Sequence, residues 1–373
     1  MSNILFLCDV LPPAYGGLAT SSYRIIRYLA GLYDIVVLSP RRDILGDRKK
    51  VKWPSNVQIF TFKQRKSEAR YLEEFTLTGE RLCQENEFSL IIGFYLYRAG
   101  FIATYLGQRF QIPSLLSARG NDIHRSLFHP DRHAFVSYAL NNCSLFTAVS
   151  SELIKKAQAF APTLAERSVV VGNGINFELH APRTEKMPEN TQKRRFVLGF
   201  AGDGRKKKGF HVLVQALSLI PPEIHSQLEV KIAGLFDKKE LDTIIAPLGK
   251  RLPVSYVGCL PRDLMPSFYQ SLDLLVVPSV HDGVPNVLLE GIVNSAGVIG
   301  SRTGGIAEVL QGFPELMFRP EEPEELAFII RNVIRGTWNV KKYMEPLREF
   351  CRINYSEEAE STKWLKAIGR AIQ

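Results

Sequence analysis

The sequence predicts an α/β protein made of two successive domains. Short β-branched strands alternate with helical segments, the strands are almost entirely apolar, and the alternation restarts after a polar, proline-containing linker at 180–195. Such alternation is typical of parallel βαβ units, and apolar strands are expected where helices cover both faces of a sheet. With 373 residues, 45% of them apolar, the chain can form two domains with sizeable cores.

The predicted strands follow the apolar runs. The stretch at 90–107 is long enough to span a membrane, but Arg98, Gly100 and the aromatic residues at its front predict a strand, a turn and a helix. We expect domains at 1–180 and 181–355, followed by a final helix at about 356–373. The predicted strands cover 3–8, 34–39, 57–62, 89–95, 113–118, 145–149, 168–172, 195–201, 228–234, 254–258, 272–278, 296–300 and 315–318.

Positive charge is concentrated in one part of the chain. The formal net charge is +9, and the cations are densest at 41–70. Such a segment suits an anionic partner, whether a membrane, a nucleic acid or a phosphorylated substrate, and it equally suits a solvated surface. Its cations are Arg41, Arg42, Arg48, Lys49, Lys50, Lys52, Lys63, Arg65, Lys66 and Arg70.

The cysteines and the amino terminus predict a cytoplasmic protein. The five cysteines are scattered without a CxxC pair, which is typical of buried thiols in a reducing compartment. The amino terminus, MSNILFLCDV, lacks the basic region of a signal peptide and is predicted to form a buried strand.

Ligands in open α/β sheets bind beyond the carboxyl ends of the strands, so the loops there are candidate sites. Gly16-Gly17 follows the first strand and allows a close approach of the backbone to an anion. Asn173-Gly174 is a turn signal and is interpreted as a structural turn. The loop SARGNDIHR at 117–125 brings several polar residues to one strand end, namely Arg119, Asn121, Asp122 and His124.

The loop GDGRKKKG at 202–209 predicts an anion site. Gly202 ends a strand, and four cations, Arg205 to Lys208, then precede a helix that begins near Gly209. Cations at the start of a helix oppose its dipole by about 0.3–1 kcal/mol each, so we expect a phosphate or diphosphate to bind there. The spacing matches neither GxGxxG nor GxxxxGK[ST], which argues against a nicotinamide site and an NTPase loop.

The segment HDGVPNVLLEG at 281–291 places acids in and before an apolar helix. Asn286 and Glu290 are four residues apart and share a helix face. A partly buried carboxylate needs hydrogen-bonding partners, and the hydroxyl groups of a polyol are suitable ones for Glu290. Asp282 precedes the helix, where the dipole favours a negative charge, so a helix-capping role fits it as well as a ligand contact does.

These loops, in this order, resemble the retaining glycosyltransferases of family 4, which have the GT-B fold of two Rossmann-like domains facing across a cleft. The resemblance covers nearly the whole chain and is most specific at 257–310, which is similar to the family pattern Pro-Ser, Glu-Gly-x-Pro, Leu-Glu and Gly-Gly-x-x-Glu. Lys-Lys-Gly at 207–209, Arg-Gly-Asn-Asp at 119–122 and Asn-Gly-Ile-Asn at 173–176 also match. The resemblance implies that the final helix crosses back onto the amino-terminal, acceptor-side domain.

The resemblance implies a role for each matching position. Glu290 would hold the donor ribose, Asp282 and Arg119 would contact the transferred sugar, and Arg205 with Lys208 would bind the diphosphate. The other implied donor-binding residues are Gly16, Gly17, Gly202, Cys259, Leu260, Val284, Pro285, Asn286, Val287 and Leu288. The implied residues on the acceptor or sugar side are Asp122, His124 and Asn173.

Three positions depart from the family pattern. Asp282 stands in place of the usual Glu, Arg119 in place of His, and Asn176 in place of Asp. The side chain of Asp282 is one methylene shorter than that of Glu, which affects its contact with the sugar. Arg119 in place of His affects which donor or acceptor is used.

The implied activity is retaining hexosyl transfer from a nucleoside diphosphate sugar to a glycan, glycolipid or small hydroxyl acceptor in polysaccharide or glycoconjugate synthesis. A UDP-sugar is favoured and GDP-mannose comes next. No Asp-x-Asp metal motif is present, so we expect neither metal nor cofactor, and no nucleic-acid partner. The segment at 41–70 predicts peripheral docking on an anionic membrane. The alternatives are a non-catalytic sugar-nucleotide binding protein and a GT-B phosphorylase or sucrose-type synthase.

Overall fold

A computed structural model describes residues 3–14, 16–41, 51–178, 194–249, 252–295 and 297–373. The chain divides into two compact units. The first comprises 1–174 and 358–373, and the second comprises 175–357. The domain boundary expected at 180, and residues 180–193 of the predicted linker, lie outside the described residues.

The first unit contains a parallel sheet of seven strands in the order β3-β2-β1-β4-β5-β6-β7. Every strand predicted in this half of the chain is confirmed. The order reverses between β1 and β4, which are neighbours in the sheet although two strands separate them in sequence. The strands are β1 Asn3–Cys8, β2 Asp34–Arg41, β3 Val57–Lys63, β4 Leu90–Phe94, β5 Ser114–Ala118, β6 Leu145–Ala148 and β7 Ser168–Val170.

Helices connect these strands and cover the sheet. The predicted strand, turn and helix at 90–107 are confirmed, because β4 is followed by a helical turn at Leu96–Gly100 and then by a helix. In the described residues, no helix combines the length and the apolar character needed to cross a bilayer. The helices are α1 Gly17–Leu29, α2 Glu68–Glu85, α3 Phe101–Phe110, α4 Pro130–Asn142 and α5 Ser151–Gln158.

The second unit contains a parallel sheet of six strands in the order β10-β9-β8-β11-β12-β13. Each strand predicted in this half is present. The order again reverses at the centre, where β8 pairs with β11. The strands are β8 Phe196–Ala201, β9 Leu228–Ala233, β10 Val254–Tyr256, β11 Leu274–Val277, β12 Val298–Ser301 and β13 Met317–Phe318.

The remaining helices follow these strands, and the last of them belongs mostly to the first unit. Trp364, Ala367 and Ile368 of this helix are buried in one core cluster with Ile25 and Ile26 of α1. The helices are α6 Phe210–Ser218, α7 Pro222–His225, α8 Lys238–Ile245, α9 Met265–Gln270, α10 Asn286–Asn294, α11 Gly304–Val309, α12 Pro323–Ile334, α13 Met344–Tyr355 and α14 Glu357–Ile372.

Candidate functional site

The strongest cluster of predicted residues lies at the centre of the second sheet. The loops after β8 and β11 lie beside each other there, at the point where the strand order reverses and where ligands of open α/β sheets bind. Gly209 has φ 70°, and a Cβ atom at this position would lie 1.7 Å from the carbonyl oxygen of Pro278. The amide of Val280 also donates to the carbonyl of Lys207 at 2.8 Å. A glycine is therefore needed for the two loops to meet.

An ion pair joins these two loops. Lys208 Nζ donates to Asp282 Oδ2 at 2.5 Å, and the two side chains are 18% and 13% exposed. Burial raises the pKa of Asp282, but Lys208 and Lys207 more than offset this and hold it below its ordinary value. The carboxylate therefore stays ionised. Within the chain itself, Asp282 supplies the anion that the cation-rich loop was predicted to require.

The other cations of this loop differ in their surroundings. Arg205 is exposed and forms an ion pair with Asp203 at 2.5 Å, two residues earlier in the same turn. Burial lowers the pKa of Lys207 below its ordinary value, against the attraction of Asp282. The predicted diphosphate pair, Arg205 and Lys208, thus consists of one exposed and one partly buried cation.

Helix α10 carries the second predicted acid, Glu290. The hydroxyl of Tyr269, a fully buried residue of α9, donates to Glu290 Oε2 at 2.7 Å. Burial, and then the charge of Glu290, raises the pKa of Tyr269 well above its ordinary value, so the phenol stays protonated. The partly buried acid therefore has a hydroxyl partner, as its position in an apolar helix required, and that partner belongs to the protein.

The start of α10 holds the predicted backbone contacts. Pro285 immediately precedes the helix and Asn286 begins it. The Oδ1 atom of Asn286 is buried and has no hydrogen-bond partner within the described part of the chain. Val284 and Leu288 are buried in the core, whereas Val287 is half-buried.

Three further predicted donor residues lie on two loops of the same sheet, one after β8 and one after β10. Gly202, directly after β8, donates its amide to the carbonyl of Ala233 at 3.0 Å. Cys259 and Leu260 follow β10, and the cysteine is exposed while the leucine is half-buried. These residues lie beyond the carboxyl ends of β8 and β10, the two strands that flank β9 in the sheet.

In the first unit, Arg119 lies in a buried charged network. Arg24 forms a two-bond ion pair with Glu360 of α14 at 2.5 and 3.0 Å, and Arg119 Nη2 lies 4.0 Å from the same carboxylate. Arg119 also donates to Asn173, while its buried Nη1 has no partner among the described residues. Burial lowers the pKa of Arg119 to about 10, with Glu360 opposing the change and Arg24 adding to it.

Asp122 closes the loop after β5. Its carboxylate is fully buried and accepts the amides of Arg119, Gly120 and Ile123 at 2.8 to 3.2 Å. Burial raises its pKa above the ordinary value, against these hydrogen bonds. The geometry is that of a loop-closing carboxylate, and the sugar-side role of Asp122 stays a prediction.

The other residues of this unit complete the predicted set. His124 Nδ1 lies 3.2 Å from Lys156 Nζ, and its ring is half-buried. Gly16 adopts φ 115° immediately before α1, which begins at Gly17, and both glycines are exposed. Among the described residues, no three His, Cys, Asp or Glu side chains are grouped so that they could hold a metal ion.

Sequence reasoning missed Tyr269, Arg24 and Glu360. Tyr269 is 21 residues from its partner Glu290, and Arg24 is 336 residues from Glu360. The one available signal was the unusual placement of a carboxylate in an apolar helix, which indicated that a partner exists without indicating which residue it is.

The comparisons with known proteins identify the class of protein that this fold and site define. The chain is a glycosyltransferase with the GT-B fold. Residues 15–179 match the family described as Glycosyltransferase Family 4, and residues 195–335 match Glycosyl transferases group 1. The chain belongs to glycosyltransferase family 4.

Several relatives and solved structures are similar to this chain. An uncharacterized glycosyltransferase of Methanocaldococcus jannaschii is 25% identical over 302 residues, which cover 80% of this chain and 78% of the relative. A D-inositol 3-phosphate glycosyltransferase of Corynebacterium urealyticum is 28% identical over 176 residues, covering 43% and 41%.

Two solved structures share the fold over almost the entire length of both chains. Alr3699/HepE of Anabaena, crystallised in complex with UDP, has a TM-score of 0.79 at 19% identity and covers 99% of this chain and 100% of its own. Sucrose-phosphate synthase of Thermosynechococcus elongatus has a TM-score of 0.82 at 18% identity and covers 98% of each chain. At these identities the likeness concerns the fold alone.

Proposed function

We propose that this protein is a retaining, metal-independent hexosyltransferase. Its donor is a nucleoside diphosphate sugar, first a UDP-sugar and second GDP-mannose. Its acceptor is a hydroxyl group of a glycan, a glycolipid or a small molecule, in polysaccharide or glycoconjugate synthesis. The observation that carries the proposal is the Lys208–Asp282 pair at the centre of the second sheet, with Glu290 on the helix that follows Asp282.

Uracil is proposed as the donor base because of the similarity in fold to a UDP-binding protein. A protein of the same fold was crystallised with UDP and, in a further structure, with UDP-glucose. The loop after β10, which carries the exposed Cys259, is the proposed contact for the base. Glu290, oriented by Tyr269, is the proposed acceptor of hydrogen bonds from the ribose.

The charges suggest how the donor binds. When the donor binds, Lys208 breaks its ion pair with Asp282 and forms an ion pair with the diphosphate instead. Asp282 is then able to accept hydrogen bonds from hydroxyl groups of the transferred sugar. Asn286, with its buried Oδ1 lacking a partner in the described chain, supplies a further polar group at the amino end of α10, where backbone amides favour negative charge.

In the proposed transfer, the bond between the sugar and the diphosphate breaks first, and negative charge develops on the leaving oxygen. Lys208 and the amides at the start of α10 stabilise that charge. The acceptor oxygen bonds to the same face of the sugar, and the leaving diphosphate oxygen takes the acceptor proton. Arg119, where the family pattern has His, is a proposed contact of the transferred sugar.

A thermal-shift screen with UDP-glucose, GDP-mannose and ADP-glucose tests donor binding before an acceptor is known. Stabilisation of about 2.7 kcal/mol is expected at a donor concentration one hundred times the Kd. Transfer and retention are then measured by NMR of the anomeric proton of the product. Donor binding without hydrolysis or transfer would instead favour a sugar-nucleotide binding protein, and sugar release by inorganic phosphate would favour a phosphorylase.

We further propose that the enzyme works at the cytoplasmic face of an anionic membrane, where a lipid-linked glycan acceptor would lie. Lys52, Lys63, Lys66 and Arg70 are exposed, whereas Arg65 is paired with Glu74 at 2.5 Å. Arg42, Arg48, Lys49 and Lys50 lie outside the described residues. Co-sedimentation with phosphatidylserine vesicles at low salt, lost at high salt, is the expected result; failure to sediment at low salt would contradict it.

A further inference from the structure

A cavity of about 340 Å³ lies at the β13 edge of the second sheet, beside helix α12. None of its lining residues is among the predicted donor or sugar-side residues. In the sheet, β12 separates β13 from β11, whose loop carries Asp282, so this cavity is distinct from the Lys208–Asp282 site. The residues that define its chemistry are Arg302, Glu315, Glu325, Phe328, Ile329 and Trp338.

Two aromatic rings form one side of this cavity. The ring centroids of Phe328 and Trp338 lie 6.4 Å apart, and the ring planes are at 88° to each other. Phe328 is 48% exposed and Trp338 is half-buried, so both rings can be reached by a ligand. Aromatic side chains that line a concave surface are typical of ligand sites.

The tryptophan is held in place before any ligand binds. Its indole N–H donates to the carbonyl of Glu315 at 3.2 Å, and its backbone amide donates to the carbonyl of Asn332 at 3.1 Å. A fixed ring loses little conformational entropy when a ligand packs on it. Because the indole N–H already has a partner, Trp338 offers a ligand an apolar ring and no hydrogen-bond donor.

Charged groups line the rest of the cavity. Within the described part of the chain, the exposed guanidinium of Arg302 makes no hydrogen bond, and the carboxylate of Glu315 accepts none. Glu325 Oε2 accepts the backbone amide and Nε of Arg319 at 2.9 and 3.0 Å. Burial raises the pKa of Glu325, but Arg319 and then Arg302 more than offset this and hold it below its ordinary value. The cavity therefore contains both hydrogen-bond donors and ionised acceptors.

The charges of the lining favour a neutral ligand. Arg302 and Arg319 balance Glu315 and Glu325. An anionic ligand, such as a nucleotide, would be repelled by the two carboxylates, and a cationic ligand by the two guanidinium groups. A wholly apolar ligand would remove water from Arg302 and Glu315 without replacing its hydrogen bonds, which is costly.

We propose that this cavity is a second carbohydrate site, which binds a neutral glycan chain away from the Lys208–Asp282 pair. A neutral sugar ring combines an apolar C–H face, which packs on Trp338 and Phe328, with hydroxyl groups. Those hydroxyls accept from Arg302 and donate to Glu315 and Glu325. The inference rests on the proposed function and names neutral glycan chains as the polymers that the enzyme handles.

A second site on the same protein changes how a polymer binds. A glycan long enough to occupy the cavity is held close to the enzyme after each transfer, so its effective concentration at the site of transfer rises. A monosaccharide acceptor cannot occupy both places at once. The cavity therefore selects for long glycans without contacting the reacting atoms.

Fluorine NMR of the full chain, labelled with 5-fluorotryptophan, tests the site with maltopentaose, cellopentaose and α-1,6-linked mannopentaose as probes. The chain has three tryptophans. Trp338 lines the cavity, and the Trp338→Phe variant assigns its resonance. Trp364 is fully buried and provides the internal reference.

Two variants at exposed positions weaken the site with little risk to folding. Phe328→Ala deletes one ring of the aromatic side, and Arg302→Ala deletes the guanidinium. Phe128→Ala is the matched control for the first variant, because Phe128 is an exposed phenylalanine of the first unit. Arg335→Ala is the control for the second, because Arg335 is an exposed arginine at the end of α12.

At least one probe should shift the Trp338 resonance in a saturable manner and leave that of Trp364 unchanged. Its Kd should rise about tenfold in Phe328→Ala and in Arg302→Ala and stay the same in both controls. No shift with any probe, or an equal Kd in all four variants, would overturn the site. A Trp338 shift that depends on protein concentration without any probe would also overturn it, because a second copy of the chain would then occupy the cavity.

The kinetics of transfer test the selection for long glycans. In Phe328→Ala, the KM for a polymeric acceptor should rise several-fold, whereas kcat and the KM for a monosaccharide acceptor should stay unchanged. A general structural defect would alter both acceptors alike, and an unchanged KM for the polymer would contradict the proposal.

The second site and the proposed function can fail separately. Glycan binding at Trp338 without any sugar transfer would contradict the transferase and leave the cavity as a carbohydrate site. Sugar transfer without any Trp338 shift would contradict the second site and leave the transferase.

Discussion

Lys208 Nζ lies 2.5 Å from Asp282 Oδ2, across the two loops that meet where the strand order of the second sheet reverses. Each residue is needed by the other in the unliganded protein, because both side chains are largely buried and an unpaired buried charge is costly. The proposed donor offers each residue a new partner, a phosphate for the lysine and sugar hydroxyls for the acid. Donor binding is thereby coupled to the opening of one ion pair.

Lys208→Ala should lower kcat for sugar transfer by about 10²–10³-fold, because charge on the leaving diphosphate loses its main cationic partner. Initial rates with the donor found by thermal shift measure this effect. Lys206→Ala is the control, since Lys206 is in the same loop but is exposed. Near-normal turnover of Lys208→Ala would contradict the proposal that Lys208 binds the diphosphate.

Asp282→Asn should destabilise the protein by about 1–3 kcal/mol at neutral pH, because Lys208 loses its counter-charge. The pKa of Asp282 is held below its ordinary value in the folded state. Its stabilising contribution is therefore fully present above the ordinary aspartate range and is lost as the pH falls through the folded pKa. Urea unfolding between pH 7 and pH 3 should show a weaker acid dependence in Asp282→Asn than in the wild type.

The control for this measurement is Asp242→Asn, an exposed aspartate of α8. It should leave the stability and its acid dependence close to those of the wild type. If the unfolding free energies of the wild type and Asp282→Asn coincide from pH 7 to pH 3, the ion pair does not stabilise the fold.

The strands could be predicted from the sequence because a buried parallel strand is a short apolar run, and each run predicted to be a strand is one. The loops that carry Lys208, Asp282 and Glu290 could be placed for the same reason, since they follow those strands. Strand order and the meeting of the loops after β8 and β11 depend on tertiary pairing, which no local pattern encodes.

The partners of the buried charges were beyond sequence reasoning. The apolar surroundings of Glu290 indicated that it needs a partner, and Tyr269 is that partner because α9 and α10 pack together. No residue close to Arg119 in sequence indicated that Glu360 lies beside it, because Glu360 belongs to α14 at the other end of the chain. Residues 41–70 looked like one basic segment, yet Arg65 is paired with an acid of α2.

Tyr269→Phe should raise the KM for the donor several-fold and leave kcat almost unchanged. The phenol orients Glu290, and losing one hydrogen bond to a charged group costs about 1.5–3 kcal/mol, shared between folding and binding. Steady-state kinetics and a thermal melt separate the two parts. Tyr105→Phe is the matched control, because Tyr105 donates to Glu80 at 3.0 Å in the first unit; an equal rise in KM there would contradict the assignment.

Glu360→Gln should destabilise the protein by about 3–5 kcal/mol, because the buried Arg24 then loses its paired carboxylate and Arg119 loses the carboxylate 4.0 Å away. Urea unfolding measures the loss. The double variant Arg24→Met/Glu360→Met should recover part of it, since one of the two cations is removed with the acid. Glu358→Gln, at an exposed position of α14, should change little, and a similar loss there would show that helix α14 rather than the ion pair is responsible.

Gly209→Ala should both destabilise the second unit and impair donor binding. A Cβ at this residue would lie 1.7 Å from the carbonyl oxygen of Pro278, and the residue has φ 70°. The backbone conformation alone costs a non-glycine residue about 1–2 kcal/mol, and relieving the contact adds about 1–3 kcal/mol. Gly336→Ala separates these terms, because Gly336 has φ 74° and a Cβ added there would meet no described atom within 4 Å.

Unfolding free energies should therefore rank the wild type above Gly336→Ala, and Gly336→Ala above Gly209→Ala, whereas the donor thermal shift should be the same in the wild type and Gly336→Ala. Donor binding should weaken in Gly209→Ala alone, because moving the loop after β8 away from that after β11 separates Lys208 from Asp282. Equal stability of the two variants, with donor binding unchanged, would show that the close approach at Pro278 does not position the lysine.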